Sequence, residues 1–368
     1  MTEEAARTIG IYIPNFSGGG AEAVSVRLAN QLAASGRRVD IIVNQAVGVF
    51  RDQVSPDVRI VDLGAGRTIG ALLPLVRYLR ANDPSSLIAG LLYNNLLAIL
   101  ARLFSRWRGR LIVCQHNTFS LEARQNSKDR LFSAIFARAM RSADAIVAVS
   151  AGVAQDLAQS AGVERDRIEV IYNPIITEDF EQKASIDPAH PWLANASDPV
   201  FIAVGRLTPQ KDYPTLLSAL SIARRTAPIR IIILGEGTLL DDLRQQAERL
   251  GVHDAVDFVG FKSNPLPYMR RSKGLVLTST FEGFGNVLAE ALACGTPVIS
   301  TSCNGPVEVL DHGRHGKLVP IGDATAIADA MLDILKHPPE RAGLVAAADR
   351  FRSDLIARQY LAVALRKK

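Results

Sequence analysis

The sequence predicts an α/β chain built of two doubly wound, Rossmann-like domains, and three observations predict it. A length of 368 residues exceeds one ordinary domain and suits two of roughly 150–200 residues each. Short runs of apolar residues recur through the chain, uniform instead of alternating, as parallel strands covered on both faces require. Helical patterns separate these runs from end to end, which gives two consecutive βαβ series.

The first series opens with TIGIYIP (8–14), leads into a helix at about 20–35, and continues through the strands VDIIVN (39–44) and RIVDL (59–63). A helix near 70–81 precedes the buried runs SLIAGLL (86–92), RLIVCQH (110–116) and DAIVAVS (144–150). The second series carries PVFIAVG (199–205), IRIIILG (229–235), AVDFVG (255–260), GLVLTST (274–280), PVISTS (297–302) and KLVP (317–320). The boundary falls near IYNPIITEDF (171–180) and continues through 185–199, a stretch rich in Pro, Asp, Asn and Ser that no helix is expected to cross. The domains are therefore expected at 1–175 and 176–350. Their ligands are expected at the carboxyl ends of both sheets, in an interdomain cleft.

A composition of 48% hydrophobic and 21% charged residues describes a folded soluble protein. Three cysteines, Cys114, Cys294 and Cys303, form no C-x-x-C pair and no metal-ligand spacing with histidine. Neither a disulfide framework nor a zinc site is expected, and a reducing cytoplasm is the natural setting. The acidic MTEEAART start lacks a signal peptide's apolar core, and the apolar stretch 87–103 is broken by Asn94, Asn95 and Arg102. The net charge of +5 resides in the first half, where residues 1–170 hold 20 Lys+Arg against 15 Asp+Glu. Residues 100–142 hold nine basic residues and two acids, interleaved with Leu103, Phe104, Trp107, Phe132, Ile135 and Phe136. Such a surface suits an anionic membrane face, and equally an ordinary solvated helix face; no nucleic-acid motif accompanies it.

The chemistry concentrates at strand ends. After GLVLTST comes FEGFGNVLAEALACGTPVIS, where Gly283 and Gly285 admit close ligand approach and Asn286 opens a helix whose N-terminus favours anions. Glu282 in the loop and Glu290 in the helix would accept hydrogen bonds from ligand hydroxyls, although the pair alone reads more readily as helix decoration. In VGRLTPQKDYPTLLSAL (204–220), Arg206 and Lys211 flank a turn before a second helix, a cradle for a diphosphate. Arg206, directly after an apolar strand, is expected to be partly enclosed, whereas Lys211 better suits a surface position. No D-x-D occurs, so the common carboxylate device for holding a divalent metal against a nucleotide sugar is missing. In NFSGGGAEAVSVRLANQL (15–32), Gly18, Gly19 and Gly20 make another site of close approach, without the G-x-G-x-x-G fingerprint. His116 ends the run RLIVCQH, where a side chain reaches the ligand edge; structural and functional roles are equally open to it.

Taken together these segments resemble glycosyltransferase family 4, retaining enzymes of the GT-B fold. The resemblance covers nearly the whole chain, adding VAVSAGVAQDL (147–157), VIYNPI (170–175), LGEGTLLDDL (234–243), VGF (259–261) and HGKLVP (315–320) in the family's order. It casts Glu282 and Glu290 as the family's E-x7-E motif. It implies that Arg206 and Lys211 bind the donor diphosphate, that Glu290 holds the ribose, and that Glu282 contacts the transferred sugar near Phe284, Gly285 and Asn286. Backbone at Gly260 and Phe261 would meet the base. Gly18, Gly19 and Gly20 would close on diphosphate or acceptor, and His116 would contact sugar or acceptor. A terminal helix within 351–368 would pack back on the first domain.

The implied activity moves a hexose or N-acetylhexosamine from a nucleotide-diphosphate sugar, UDP favoured, to a glycan or lipid-linked glycan, without metal or other cofactor. STSCNGPVEVL (300–310) is similar to members acting in polysaccharide and lipopolysaccharide synthesis. Rival expectations are a GT-B sugar-nucleotide epimerase, a non-catalytic nucleotide-sugar binder, and an oxidoreductase whose fingerprint neither half carries.

Overall fold

The protein is described by a computed structural model, covering residues 7–17, 19–122, 136–194 and 198–366. The chain divides into two compact units, residues 1–177 with 351–368, and residues 178–350. Each contains one parallel sheet.

In the first unit the strands are β1 (Ile9–Ile13), β2 (Val39–Val43), β3 (Val58–Asp62), β4 (Ser86–Gly90), β5 (Arg110–Gln115), β6 (Ala145–Ala148) and β7 (Ile168–Val170). Their spatial order is β3-β2-β1-β4-β5-β6-β7. All neighbours are parallel, with Ile11 opposite Ile41 on one side and Ile88 on the other. The four inner strands β1, β4, β5 and β6, with β2, are buried along their whole length. That burial is why their sequences run apolar without alternation. β7 was not foreseen. It is three residues at the sheet edge with Glu169 half-buried, so it offers no apolar run to read.

The order of strands reverses direction between β1 and β4, the point at which adjacent carboxyl ends lead away to opposite faces. β1 leads to the helix Gly20–Ala34, which buries Val24, Val26, Leu28 and Leu32. The helix Ser353–Ala364 packs on that helix and on β4 and β5. Its Tyr360 is fully buried, with the hydroxyl 3.9 Å from Cys114 Sγ. Ser353 Oγ donates to Gln31 Oε1 at 2.8 Å. Residues far apart in the chain thus share one core: Ile11, Leu28, Ile112 and Val147 with Ile356, Tyr360 and Val363. The two chain crossings are pinned side by side, because Ile175 and Ile176 N–H groups both donate to Phe351 O, at 2.9 and 3.1 Å.

In the second unit the strands are β8 (Val200–Val204), β9 (Arg230–Leu234), β10 (Val256–Gly260), β11 (Gly274–Leu277), β12 (Val298–Thr301) and β13 (Lys317–Val319). Their order is β10-β9-β8-β11-β12-β13, so the reversal lies between β8 and β11. Helices Tyr213–Ala223 and Ala324–Lys336 pack together on one face, burying Leu216, Leu217, Leu220, Ile327 and Met331 with Phe201, Ile231 and Ile233. The stretch 185–199, through which no helix was expected to run, lies inside this unit; its described residues include the single turn Pro191–Ala194, with Pro at the first position where it costs no hydrogen bond.

Tyr360→Ala is expected to destabilise the first unit by about 3–5 kcal/mol, as truncation of other large buried aromatics does. Urea unfolding followed by circular dichroism would show one transition shifted while that of the second unit stays in place.

Candidate functional site

The reversal between β8 and β11 brings two turns of the second unit together. The first, 205–212, leaves β8 and enters the helix Tyr213–Ala223; the second, 278–285, leaves β11 and enters the helix Asn286–Ala293. Hydrogen bonds lace them: Thr280 N and Oγ1 both donate to Gln210 O, at 2.8 and 3.2 Å, Gln210 Nε2 donates to Phe281 O at 2.9 Å, and Thr278 Oγ1 faces the carbonyls of Lys211 at 2.7 Å and Asp212 at 3.0 Å. Asp212 takes a left-handed backbone, φ 46°, which costs a non-glycine residue about 1–3 kcal/mol and persists only where its surroundings impose it. Here the imposing contacts are those from Thr278, and they aim Lys211 back across the turn.

Lys211 Nζ forms an ion pair with Glu282 Oε1, and both side chains are largely enclosed, 16% and 11% exposed. The same Oε1 accepts a second hydrogen bond, from Ser279 Oγ at 2.7 Å, and Ser279 is fully buried. Ser279 is in turn held through its carbonyl, which accepts from Thr301 Oγ1 at the end of β12 at 2.5 Å. The negative field of Glu282 is felt by its neighbours. Burial, then the Glu282 charge, pushes the Cys303 thiol up to about 11, so Cys303 is a thiol and no nucleophile at neutral pH. The same two causes raise the Tyr213 hydroxyl.

Arg206 departs from expectation. It is exposed, and no described residue bonds its guanidinium. The reason is local: Leu207 is the residue that enters the core, its N–H donating to Glu236 O at 2.9 Å, and the extended chain turns the preceding side chain outward. Lys211, the one of the two to which a plain surface charge was better suited, is the enclosed cation.

Glu290 is buried, 6% exposed, within the helix Asn286–Ala293, and its charge adds to burial in raising the Cys294 thiol to about 12. The reading of Glu290 as exposed helix decoration therefore fails. Gly285 precedes this helix at φ 90°, a conformation that L side chains rarely adopt. Phe284 is buried and Asn286 half-buried. Against them lies Gly305, where an added Cβ would sit 2.7 Å from the Phe284 backbone. A glycine here is what lets the loop and the helix Asn304–Val309 approach.

Gly260 ends β10, its carbonyl accepting from Gly235 N–H at 2.9 Å; Phe261 is 37% exposed, and its N–H reaches Glu236 Oε1 at 3.4 Å. Arg206, Lys211, Glu282, Glu290, Phe284, Gly285, Asn286, Gly260 and Phe261 all belong to the second unit. Ser279 and Cys303 were missed as site residues. A serine ending an apolar strand run, with no solvent to satisfy it, is the signal that would have found Ser279.

His116, Gly19 and Gly20 belong to the first unit. Gly19 precedes and Gly20 begins the helix Gly20–Ala34, with the Glu22 carboxylate folded against Gly19; Gly18 lies outside the described residues. His116 follows β5 beside Gly90, with no partner for its buried Nδ1 among the described residues. Burial pushes its pKa down to about 4, so the ring is neutral at physiological pH. Among the described residues no three His, Cys, Asp or Glu side chains gather to hold a metal.

Two family models match, one described as Glycosyltransferase Family 4 over residues 18–179 and one as Glycosyl transferases group 1 over residues 189–351. The chain belongs to the family 4 glycosyltransferases. Within the family, a Campylobacter jejuni enzyme, N-acetylgalactosamine-N,N'-diacetylbacillosaminyl-diphospho-undecaprenol 4-alpha-N-acetylgalactosaminyltransferase, is 31% identical over 244 residues, 66% of this chain and 64% of that relative. The lipopolysaccharide 1,6-galactosyltransferase of Escherichia coli is 32% identical over 188 residues, 49% of each chain. The chain thus spans about half to two thirds of the length of these relatives. The crystal structure of Anabaena HepE in complex with UDP and glucose is similar in fold at 22% identity, with a TM-score of 0.81 over 96% of this chain and 98% of that one. The fold of this family member is GT-B, two Rossmann-like domains.

A histidine with a depressed pKa binds fewer protons folded than unfolded, so its contribution is complete above about pH 6.5 and is lost as the pH falls toward 4. The first unit is expected to lose up to about 3 kcal/mol over that window. His116→Gln should flatten this part of the stability–pH curve, read by urea unfolding at successive pH values; a curve that stays parallel to the native one removes His116 as the cause.

Proposed function

We propose that this chain is a retaining, metal-independent glycosyltransferase. Its donor is a UDP-hexose or UDP-N-acetylhexosamine, and its acceptor a glycan or lipid-linked glycan of polysaccharide or lipopolysaccharide synthesis. The observation that carries the proposal is the enclosed Lys211–Glu282 pair at the β8/β11 reversal, where open α/β sheets bind ligands. The relatives named above act on glycans or lipid-linked glycans by their names, and HepE binds UDP and glucose in its crystal. Both support the reading.

In this reading the donor diphosphate lies at the start of the helix Asn286–Ala293 and takes charge-assisted bonds from Lys211 and the exposed Arg206. Glu290 takes the ribose hydroxyls, Glu282 the hydroxyls of the sugar, and backbone at Gly260 and Phe261 the base. In the first domain Gly19 and Gly20 close on diphosphate or acceptor, and neutral His116 offers a hydrogen bond to sugar or acceptor. The bond from the anomeric carbon to the diphosphate oxygen breaks, and its electron pair leaves with the diphosphate. The acceptor oxygen then bonds the same face of that carbon, and its proton passes to the departing phosphate. The two cations and the helix dipole oppose the charge that develops on the diphosphate, which is what a metal would otherwise do.

Lys211→Ala is expected to lower turnover by roughly 10²–10³-fold, as loss of a charge-stabilising donor does. The native rate should be the same with and without a chelator. Near-normal transfer by a folded Lys211→Ala protein, or donor isomerised with no acceptor present, would overturn the assignment.

The proposal includes contact of the first domain with an anionic membrane at the inner face. No helix among the described residues is long and apolar enough to cross a membrane. At the end of the helix Leu92–Ser105, Leu103 and Phe104 are 63% and 59% exposed. Beside them a cavity of about 390 Å³ is lined by Arg7, Arg80, Arg106 and Arg108 with Asp83. Exposed apolar side chains close in sequence to an arginine-lined cavity suit lipid tails and phosphate headgroups. Part of the basic 100–142 stretch, including Arg124, Lys128 and Arg130, lies outside the described residues. Flotation with anionic liposomes at low salt should carry the protein upward, and high salt should release it; protein that stays at the bottom at low salt removes the membrane contact.

A further inference from the structure

We infer that Ser279 is a positioning residue for Glu282, holding one carboxylate oxygen so that the other is presented to the transferred sugar. The inference rests on the nucleotide-sugar reading above and assigns a part of that site which the reading leaves open. A carboxylate offers two oxygens and about four acceptor positions. In Glu282 both donors within the protein, Lys211 Nζ and Ser279 Oγ, converge on Oε1, and no described residue bonds Oε2. Two donors on one oxygen fix the rotation of the carboxylate, and the unbonded oxygen is the one left for a ligand hydroxyl.

The two donors differ in what a bound donor does to them. Lys211 is the enclosed cation of the site and will be drawn toward a diphosphate, since two phosphate charges outweigh one carboxylate. Ser279 is neutral and fully buried, and it is tied through its own carbonyl to Thr301, so it cannot follow. It is the restraint that persists while the lysine is shared. A hydrogen bond between a neutral donor and a buried carboxylate is also among the stronger kinds. The serine therefore governs the sugar end of the ligand, not the nucleotide end.

That asymmetry gives the test. Native protein, Ser279→Ala, Glu282→Ala and the double variant are checked for folding by thermal unfolding. Each is then titrated calorimetrically with UDP and with UDP-glucose, UDP-galactose and their two N-acetylhexosamine counterparts. Using whichever UDP-sugar native protein binds most tightly, Ser279→Ala should weaken that ligand by about tenfold or more, as loss of a hydrogen bond to a charged group does. UDP itself should change by less than about twofold, and removing Ser279 when Glu282 is already absent should add almost nothing, because coupled residues are not additive. Ser279→Thr, which keeps the hydroxyl, should recover the discrimination between UDP-sugar and UDP; should Glu282→Ala fail to fold, this comparison decides alone. Equal weakening of UDP and UDP-sugar, or the same loss with and without Glu282, would overturn the positioning role. Native protein that binds neither UDP nor any of the four sugars would overturn the nucleotide-sugar reading itself, and the positioning role with it.

Discussion

The enclosed ion pair between Lys211 and Glu282 is the constraint around which the second unit's ligand edge is arranged. Two charges largely removed from water are costly unless each has its partner, and removing one partner from such a pair costs about 3–5 kcal/mol. The surrounding residues meet that demand from several directions. Thr278 fixes the left-handed turn at Asp212 that brings the lysine inward, Ser279 gives the carboxylate a second donor, and the thiol of Cys303 stays protonated against the charge. A pair of this kind stabilises less than an apolar cluster of equal volume would, which accords with the charged ligand proposed for it.

The fold puts the pair where it is. A parallel sheet whose strand order reverses must send adjacent chains away to opposite faces, which opens space at that edge and points two helix starts toward it. β8 and β11 are these strands, and the turns that leave them carry every donor and acceptor of the pair. Glycine is required at Gly285, whose φ of 90° starts a helix, and where chains crowd, as at Gly305, where a methyl would strike the Phe284 backbone, and at Gly235, where it would strike the Gly205 carbonyl.

Much of this was legible in the sequence because the physics that makes a buried parallel strand also makes an apolar run. Twelve of the strands carry a readable apolar run, whereas β7, three residues with Glu169 at its centre, does not. The helix starts at Tyr213 and Asn286 were visible from Pro and Gly placement. Side-chain direction was not. Nothing in the order Val-Gly-Arg-Leu says that Leu207 will take the core and turn Arg206 out, and nothing local says that Lys211 will fold back seventy-one positions down the chain to Glu282. Such pairings depend on strand neighbours that are not neighbours in sequence. Ser279 was overlooked for the same reason: its partner lies three residues on, but the burial that gives the contact its meaning comes from β12.

The pinned crossing at Ile175, Ile176 and Phe351 has a consequence for how the molecule is made. The first unit is interrupted, its last helix separated from the rest by the whole of residues 178–350. A domain emerging from the ribosome folds as its residues appear, the amino-terminal part first. Here that part must wait with the face of β4 and β5 uncovered until Tyr360 arrives, while the intervening unit has every residue it needs beforehand. The half that is begun first is finished last, and the surface it exposes meanwhile is the one a chaperone would meet.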